Sequence, residues 1–393
     1  MSRRSLLVGL SAAHFAQHVT NGLLSALLPF IRDTFLLSNT QAGFAVTAYT
    51  IASGVMNAPL GVLADRMGAR RVIVGGLVAV AASSVAVGLA PSYAVLLLAL
   101  VAMGVASGTY HAPASALIAE TFTFARRGVA LGTHTTAGHL AFFAAPLVAG
   151  ILATQGSWRL PYVLFAAAPL LCAALVVRIA PPGTRALGRH EWLATFGDIG
   201  RVARSIGSLV SISIVAQVLL SSALAFLTLY FVDARGVPPV IAAALYGVPQ
   251  LAGLFAAPLS GVLSDRFGRP AVLLGALVAT GPAWWLLVAM PVELAVIPLL
   301  LIGACLSFRA TATEVLIIDT TPVTRRSTVL GTYYLVNQPV GGIAAPIFGA
   351  IADGAGIGNA YPWLSFAFVG LSLAALVLIA AGSARRRASV GAA

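Results

Sequence analysis

The stretch Gly61-Val62-Leu63-Ala64-Asp65-Arg66-Met67-Gly68 recurs two hundred residues later as Gly261-Val262-Leu263-Ser264-Asp265-Arg266-Phe267-Gly268. Each copy joins two long apolar segments. Further pairs keep the register at 199 or 200. Arg126-Arg127 matches Arg325-Arg326, Leu131-Gly132-Thr133 matches Leu330-Gly331-Thr332, Ala144-Ala145-Pro146 matches Ala344-Ala345-Pro346, and Asp33 matches Asp233. A register held over half of a 393-residue chain marks a duplicated unit, and each unit must supply half of one architecture.

Composition fixes the solvent of that architecture. Hydrophobic residues make up 59% and charged residues 9% of the chain, and the mean hydropathy is +0.97. Soluble domains carry about a quarter charged residues, so this surface must face lipid. Backbone in lipid satisfies its own hydrogen bonds, which leaves helices or closed barrels. The apolar runs approach the roughly 20 residues of a spanning helix and lack the alternation of barrel strands. The expected fold is an all-α integral membrane protein with twelve transmembrane helices in two pseudo-symmetric six-helix bundles.

The expected spans are 6–31, 41–64, 71–90, 94–119, 128–154, 158–180, 207–232, 240–264, 270–290, 294–318, 327–352 and 360–382. They divide the chain into an N-terminal bundle over 1–180, a cytoplasmic linker over 181–206, and a C-terminal bundle with a short cytoplasmic tail over 207–393. The linker opens Pro181-Pro182-Gly183, and its stretch from Glu191 to Arg204 reads as a short surface helix with Trp192 and Phe196 dipping into the bilayer. All 23 basic residues are arginines, and 19 of them gather at alternate ends of the spans. Arginine excess marks the cytoplasmic side, so both termini are expected there, in a cytoplasmic (inner) membrane. The same placement accounts for the net charge of +12 without a nucleic-acid partner. Cys172 and Cys305 lie in different spans and give no disulfide framework.

The doubled loops and the charges after spans 4 and 10 read as a cytoplasmic gate of Asp65, Arg66, Glu120, Arg127, Asp265, Arg266, Asp319 and Arg326. Orientation alone needs arginine but no fixed acid, so acids repeated in register point to a latch between the halves. On these residues the chain resembles the major facilitator superfamily over essentially its entire length. The resemblance implies two bundles rocking about a central cavity, with spans 1, 4, 7 and 10 lining it and 2, 5, 8 and 11 beside them. A narrower resemblance is to the fosmidomycin-resistance group of bacterial efflux carriers. It rests on His14-Phe15-Ala16-Gln17-His18 through Pro29, on Gly108-Thr109-Tyr110-His111-Ala112-Pro113-Ala114, and on Ala137-Gly138-His139. Here Ala112 intervenes before the proline and Ala114 stands in place of an acid.

Five of the six histidines fall in spans of the first half: His14, His18, His111, His134 and His139. Ionisable groups inside a membrane usually face a cavity. His14 and His18, four apart, share a helix face that Asn21 continues. At matching positions of the second half stand Gln217 for His18, Tyr333 for His134 and Gln338 for His139. Arg309 lies within two residues of the position matching His111, and Tyr246 and Asn337 add hydrogen-bonding capacity. Donors in excess beside an intramembrane cation suit a small organic anion. The expected substrate-binding set is therefore His14, His18, Asn21, His111, His134, His139, Gln217, Tyr246, Arg309, Tyr333, Asn337 and Gln338, with Glu314 and His18 as proton carriers.

The function expected is secondary active transport of a small organic, anionic solute by alternating access with proton coupling. Multidrug efflux of amphiphiles is the main alternative, followed by metal-ion carriage and a non-transporting receptor. His-x3-His on one helix face is ligand-capable, but no carboxylate or cysteine cluster accompanies it, so no metal ligand is assigned. No cofactor is expected, and no catalytic pair, phosphate loop or metalloprotease motif is present. The expected partners are substrate, protons and the lipid bilayer, around a monomer.

Overall fold

The computed structural model describes residues 2–181, 192–321 and 326–391. The first half runs α1 (Arg3–Asn21), α2 (Leu23–Ala26), α3 (Leu28–Phe35), α4 (Asn39–Met67), α5 (Ala69–Gly88), α6 (Tyr93–Ser107), α7 (His111–Thr121), α8 (Phe124–Gln155), α9 (Arg159–Phe165) and α10 (Ala167–Ile179). The second half runs α11 (Trp192–Ala225), α12 (Leu227–Leu229), a π-helical turn (Tyr230–Ala234), α13 (Pro239–Phe267), α14 (Arg269–Ala289), a 3₁₀ turn (Val292–Leu294), α15 (Val296–Thr320), α16 (Arg326–Ala355) and α17 (Ile357–Gly391). Among the described residues, nine helices are long and apolar enough to cross a membrane.

Spans expected as single helices are broken at four places. Span 1 breaks around Gly22 and Leu27, span 4 at residues 108–110, span 6 at Ala166 and span 7 at Phe226. Proline accounts for three of these: Pro29 stands in the first turn of α3, Pro113 in that of α7 and Pro169 in that of α10, where a missing N–H costs least. Of the stretch from Glu191 to Arg204, expected as a surface helix within the linker, the described part from Trp192 is instead continuous in backbone with span 7 through α11. His190 and residues 182–191 lie outside the described residues.

Proline also stitches the halves together. Pro29 cannot donate to the carbonyl of Ser25 one turn earlier, and the Thr228 hydroxyl from the other half donates to it instead at 2.6 Å. Pro346 likewise leaves the carbonyl of Gly342 open, and Thr47 of α4 donates to it at 2.6 Å. A freed carbonyl in lipid must find another donor, and here that donor lies across the interface. α4 packs along α16 and α8 along α13, so these two helix pairs form the seam between halves.

At the end opposite the termini the seam is closed. Both Arg32 Nη atoms donate to Asp233, Nη2 to Oδ1 at 3.0 Å, and the Arg32 Nε donates to Asp33 at 3.1 Å. Asp353 of α16 accepts from the backbone N–H of Asn39 at 2.7 Å and of Thr40 at 2.9 Å, and from the Thr40 hydroxyl at 2.6 Å. A carboxylate at the N-terminus of α4 meets unsatisfied donors and the positive end of the helix dipole. Arg32→Gln is expected to weaken this closure by about 1 kcal/mol, because the pair is partly exposed. Spin labels on Thr34 and Ala234, both exposed, should then report a larger share of long separations.

At the termini end the repeated loops turn through Gly68 and Gly268, at φ of 90° and 87°, a region open to glycine. Arg269 joins Asp265 at 2.8 Å, Asp319 at 2.9 Å and the Ser264 carbonyl at 2.8 Å, all within the C-terminal half. Arg66, Glu120 and Arg266 are exposed. The side chains of Asp65, Arg127 and Arg326 lie outside the described residues.

Candidate functional site

α1 carries His14, Gln17, His18 and Asn21 into the middle of the N-terminal half, where α7 and α8 meet it. His14 Nδ1 lies 2.8 Å from the carbonyl of His134 on α8, and its Nε2 lies 3.0 Å from His18 Nε2. A carbonyl only accepts, so in the neutral ring His14 carries its proton on Nδ1 and turns a bare Nε2 toward His18. His18 must then donate from Nε2, which leaves its own Nδ1 as an acceptor. That Nδ1 is buried without a hydrogen-bond partner, as is His134 Nδ1. His111 opens α7 just beyond the break, with its ring centroid 5.3 Å from that of His14 and 5.2 Å from that of His18. The His134 ring stacks on His14 at 4.3 Å. Four of the five expected histidines thus form one cluster.

The cluster fits against α8 because position 138 is glycine. A Cβ there would lie 2.7 Å from His14 Cε1 and 3.0 Å from His18 Cδ2. Beside it, Gln17 donates to the Ser107 carbonyl at 2.8 Å and Asn21 to the Ser107 hydroxyl at 3.0 Å. Gln17 Oε1 and Asn21 Oδ1 are buried without partners. The sequence suggests donors in excess throughout; beside the histidines, these two unpaired atoms are acceptors.

Arg309 is 3% exposed on α15. Its Nη1 donates to the Ser213 carbonyl at 3.1 Å and hydroxyl at 3.0 Å, and its Nη2 donates to Gln217 Oε1. Tyr333 of α16 hydrogen-bonds both Arg309 and Ser213. The cation is therefore held by neutral groups from α11 and α16, with the Glu314 carboxyl nearby on its own helix. Asn337, on the same helix as Tyr333, is buried with Oδ1 unpaired. The Gln338 side chain lies outside the described residues.

The histidine cluster and the Arg309 cluster sit in separate halves. Two contacts bridge toward the seam between them: His139 Nδ1 meets Gln250 Oε1 of α13 at 3.0 Å, and Tyr246 of α13 hydrogen-bonds Ser25. The expected single lining is thus resolved into two polar clusters and a bridging pair. Gln17, Ser107, Ser213 and Gln250 escaped the sequence reading. Gln250 and Gln17 carried the available signal, as uncharged polar side chains well inside apolar spans.

The fold is shared with solved transporters. The crystal structure of the nucleoside transporter NupG superposes with a TM-score of 0.76 at 15% identity, covering 95% of this chain and 99% of that one. A bacterial homolog to human lysosomal transporter Spinster, in an inward-facing and unoccupied conformation, gives 0.74 at 18% identity, covering 97% and 95%. Among curated relatives, multidrug resistance protein MdtG of Proteus mirabilis is 27% identical over 360 residues, covering 86% of this chain and 87% of that one. MdtG of Citrobacter koseri is 28% identical over 325 residues, covering 79% and 78%. The hexuronate transporter of Bacillus subtilis is 26% identical over 170 residues, covering 43% and 40%. The family model of the Major Facilitator Superfamily matches residues 10–269 and 209–391, and with the duplicated bundles and the paired glycine-framed loops this chain belongs to that superfamily of membrane transporters.

Proposed function

We propose that this transporter moves a small organic anion by alternating access, driven by protons. One observation carries the reading. Arg309 is a buried cation whose described hydrogen bonds all go to neutral acceptors. A charge kept inside a membrane protein marks the pathway by default, and a planar guanidinium recognises carboxylate or phosphonate through paired donors. Gln217 and Tyr333 complete the binding face. His139, Gln250 and Tyr246 change partners when the halves rock apart.

Of the two proton carriers, Glu314 fits better. It lies on the same helix as Arg309, so loading the anion and releasing the proton act on one charge balance. His18 already shares its Nε2 proton with His14. Glu314→Gln is expected to abolish uptake driven by a proton gradient while leaving counterflow exchange intact. Gradient-driven uptake at the parental rate would remove the glutamate from the coupling scheme. The gate of Asp65, Arg66, Glu120, Arg127, Asp265, Arg266, Asp319 and Arg326 closes in the opposite conformation, when the far end opens. Both termini face the cytoplasm, and the carrier acts as a monomer.

Counterflow in proteoliposomes, with a panel of carboxylates, phosphonates and amphiphilic drugs, tests the substrate class. Exchange confined to anions supports the reading. A broad response to amphiphiles with no anion exchange replaces it by multidrug efflux, which the names of the MdtG relatives favour.

A further inference from the structure

We propose that His14, His18 and His111 form a binding site for a divalent transition-metal ion of the zinc class inside the N-terminal half. Their ligand nitrogens all lie within 4.8 Å of one another, and the His14 and His18 Nε2 atoms are 3.0 Å apart. Zinc bound to imidazole at about 2.0–2.1 Å in tetrahedral geometry sets its ligand nitrogens about 3.3–3.4 Å apart. The closest pair is already near that spacing, and rotation of the half-buried His111 ring brings in the third ligand.

Three further features belong to a ligand set rather than to a packed core. The His14 Nδ1 proton is tied to the His134 carbonyl, which is the outer-shell bond that orients a metal-binding imidazole and leaves Nε2 free to coordinate. His18 Nδ1 has no hydrogen-bond partner, so its lone pair is free to take the proton that Nε2 gives up when an ion binds. The missing Cβ at Gly138 lets the α8 backbone close over the pair and hold both rings. On binding, the ion takes the place of the hydrogen bond between His14 and His18. The proton on His18 Nε2 passes to its Nδ1, so no proton leaves the protein.

The donor set selects the ion. Neutral imidazole suits zinc, copper, nickel and iron, whereas magnesium and calcium require oxygen ligands. The charged or titratable groups acting on His18 are the histidines 14, 111, 134 and 139. Three neutral ligands leave the ion its double charge and an open fourth position, which favours water or an anion there.

Full-length protein purified without a histidine tag should bind one equivalent of Zn²⁺ by calorimetry. Co²⁺ should give the intense visible bands of a four-coordinate centre. His18→Ala and His111→Ala should each weaken Zn²⁺ binding by at least about tenfold, whereas His190→Ala, in the linker, should not. His111 makes no described hydrogen bond, so its variant keeps the fold and decides the matter even if the His18 variant unfolds; metal-free melting curves check this. Absence of saturable binding, a six-coordinate Co²⁺ spectrum, or unchanged affinity in His111→Ala would overturn the site. None of these readouts depends on anion transport, so the failure of one proposal leaves the other standing.

Discussion

Arg309→Ala is expected to lower anion counterflow by at least about a hundredfold while the protein still inserts and stays monodisperse. Hydrogen bonds to a charged group contribute about 1.5–3 kcal/mol each. A carboxylate held by two of them loses about 3 kcal/mol or more, and each 1.4 kcal/mol is tenfold in affinity. The cost to folding is smaller. Truncation leaves the Ser213 carbonyl and Gln217 Oε1 without their donor, at about 1–3 kcal/mol. Gln217 can turn to Ser221, to whose hydroxyl it already donates at 3.0 Å. Arg309→Lys should fall between, since it keeps the charge and loses the fork. Proteoliposome counterflow with a carboxylate, beside size-exclusion profiles, reads both effects. Carboxylate exchange undiminished in the alanine variant would end the anion assignment.

Gly349→Val should hold the far end open. A Cβ at 349 would stand 2.4 Å from the carbonyl oxygen of Asn39, 2.6 Å from its carbon and 2.8 Å from Thr40 Cα. All three are backbone atoms of the α4 N-terminus and cannot rotate aside. The same residues receive the Asp353 carboxylate, so valine disrupts that closure as well. Overpacking of this kind costs about 1–3 kcal/mol, here charged only to the closed conformation, and shifts its share by about tenfold or more. Spin labels on Thr34 and Ala234, in a protein with Cys172 and Cys305 replaced, should move to long separations. Gly354→Ala, where a Cβ meets nothing within 4 Å, is the matched control. An unchanged distance distribution in Gly349→Val would mean that the seam yields elsewhere.

The two experiments act on different links of one mechanism. The Arg309 variant tests what is bound, and the Gly349 variant tests which conformation is populated. The stitching at the seam explains why a single small residue carries so much. Packing between membrane helices depends on close backbone approach, because lipid offers no hydrophobic force to bring them together.

Several features could be read along the chain because they are local or periodic. Long apolar runs give helices in lipid whatever their neighbours do. The repeated loops at 61–68 and 261–268 give the duplication, and Gly68 and Gly268 at their ends take the positive φ that such a turn requires. Intramembrane histidines and arginine are visible as exceptions to the surrounding composition. Helix breaks were harder to see. Pro29 and Pro113 sit where a proline can also be absorbed by a continuous helix, and only the neighbouring helices decide.

Hydropathy and register depend on composition and spacing alone, so a duplicated, lipid-facing helical carrier and its cast of buried polar residues were legible before any fold was known. How that cast divides was settled by packing. His111 reaches His14 from a different helix, and Gln217 reaches Arg309 across 92 residues. Distances between side chains on different helices follow from how those helices pack, to which no local pattern in the chain gives access. The unpaired acceptors beside the histidines and the neutral cradle around Arg309 emerged at that level.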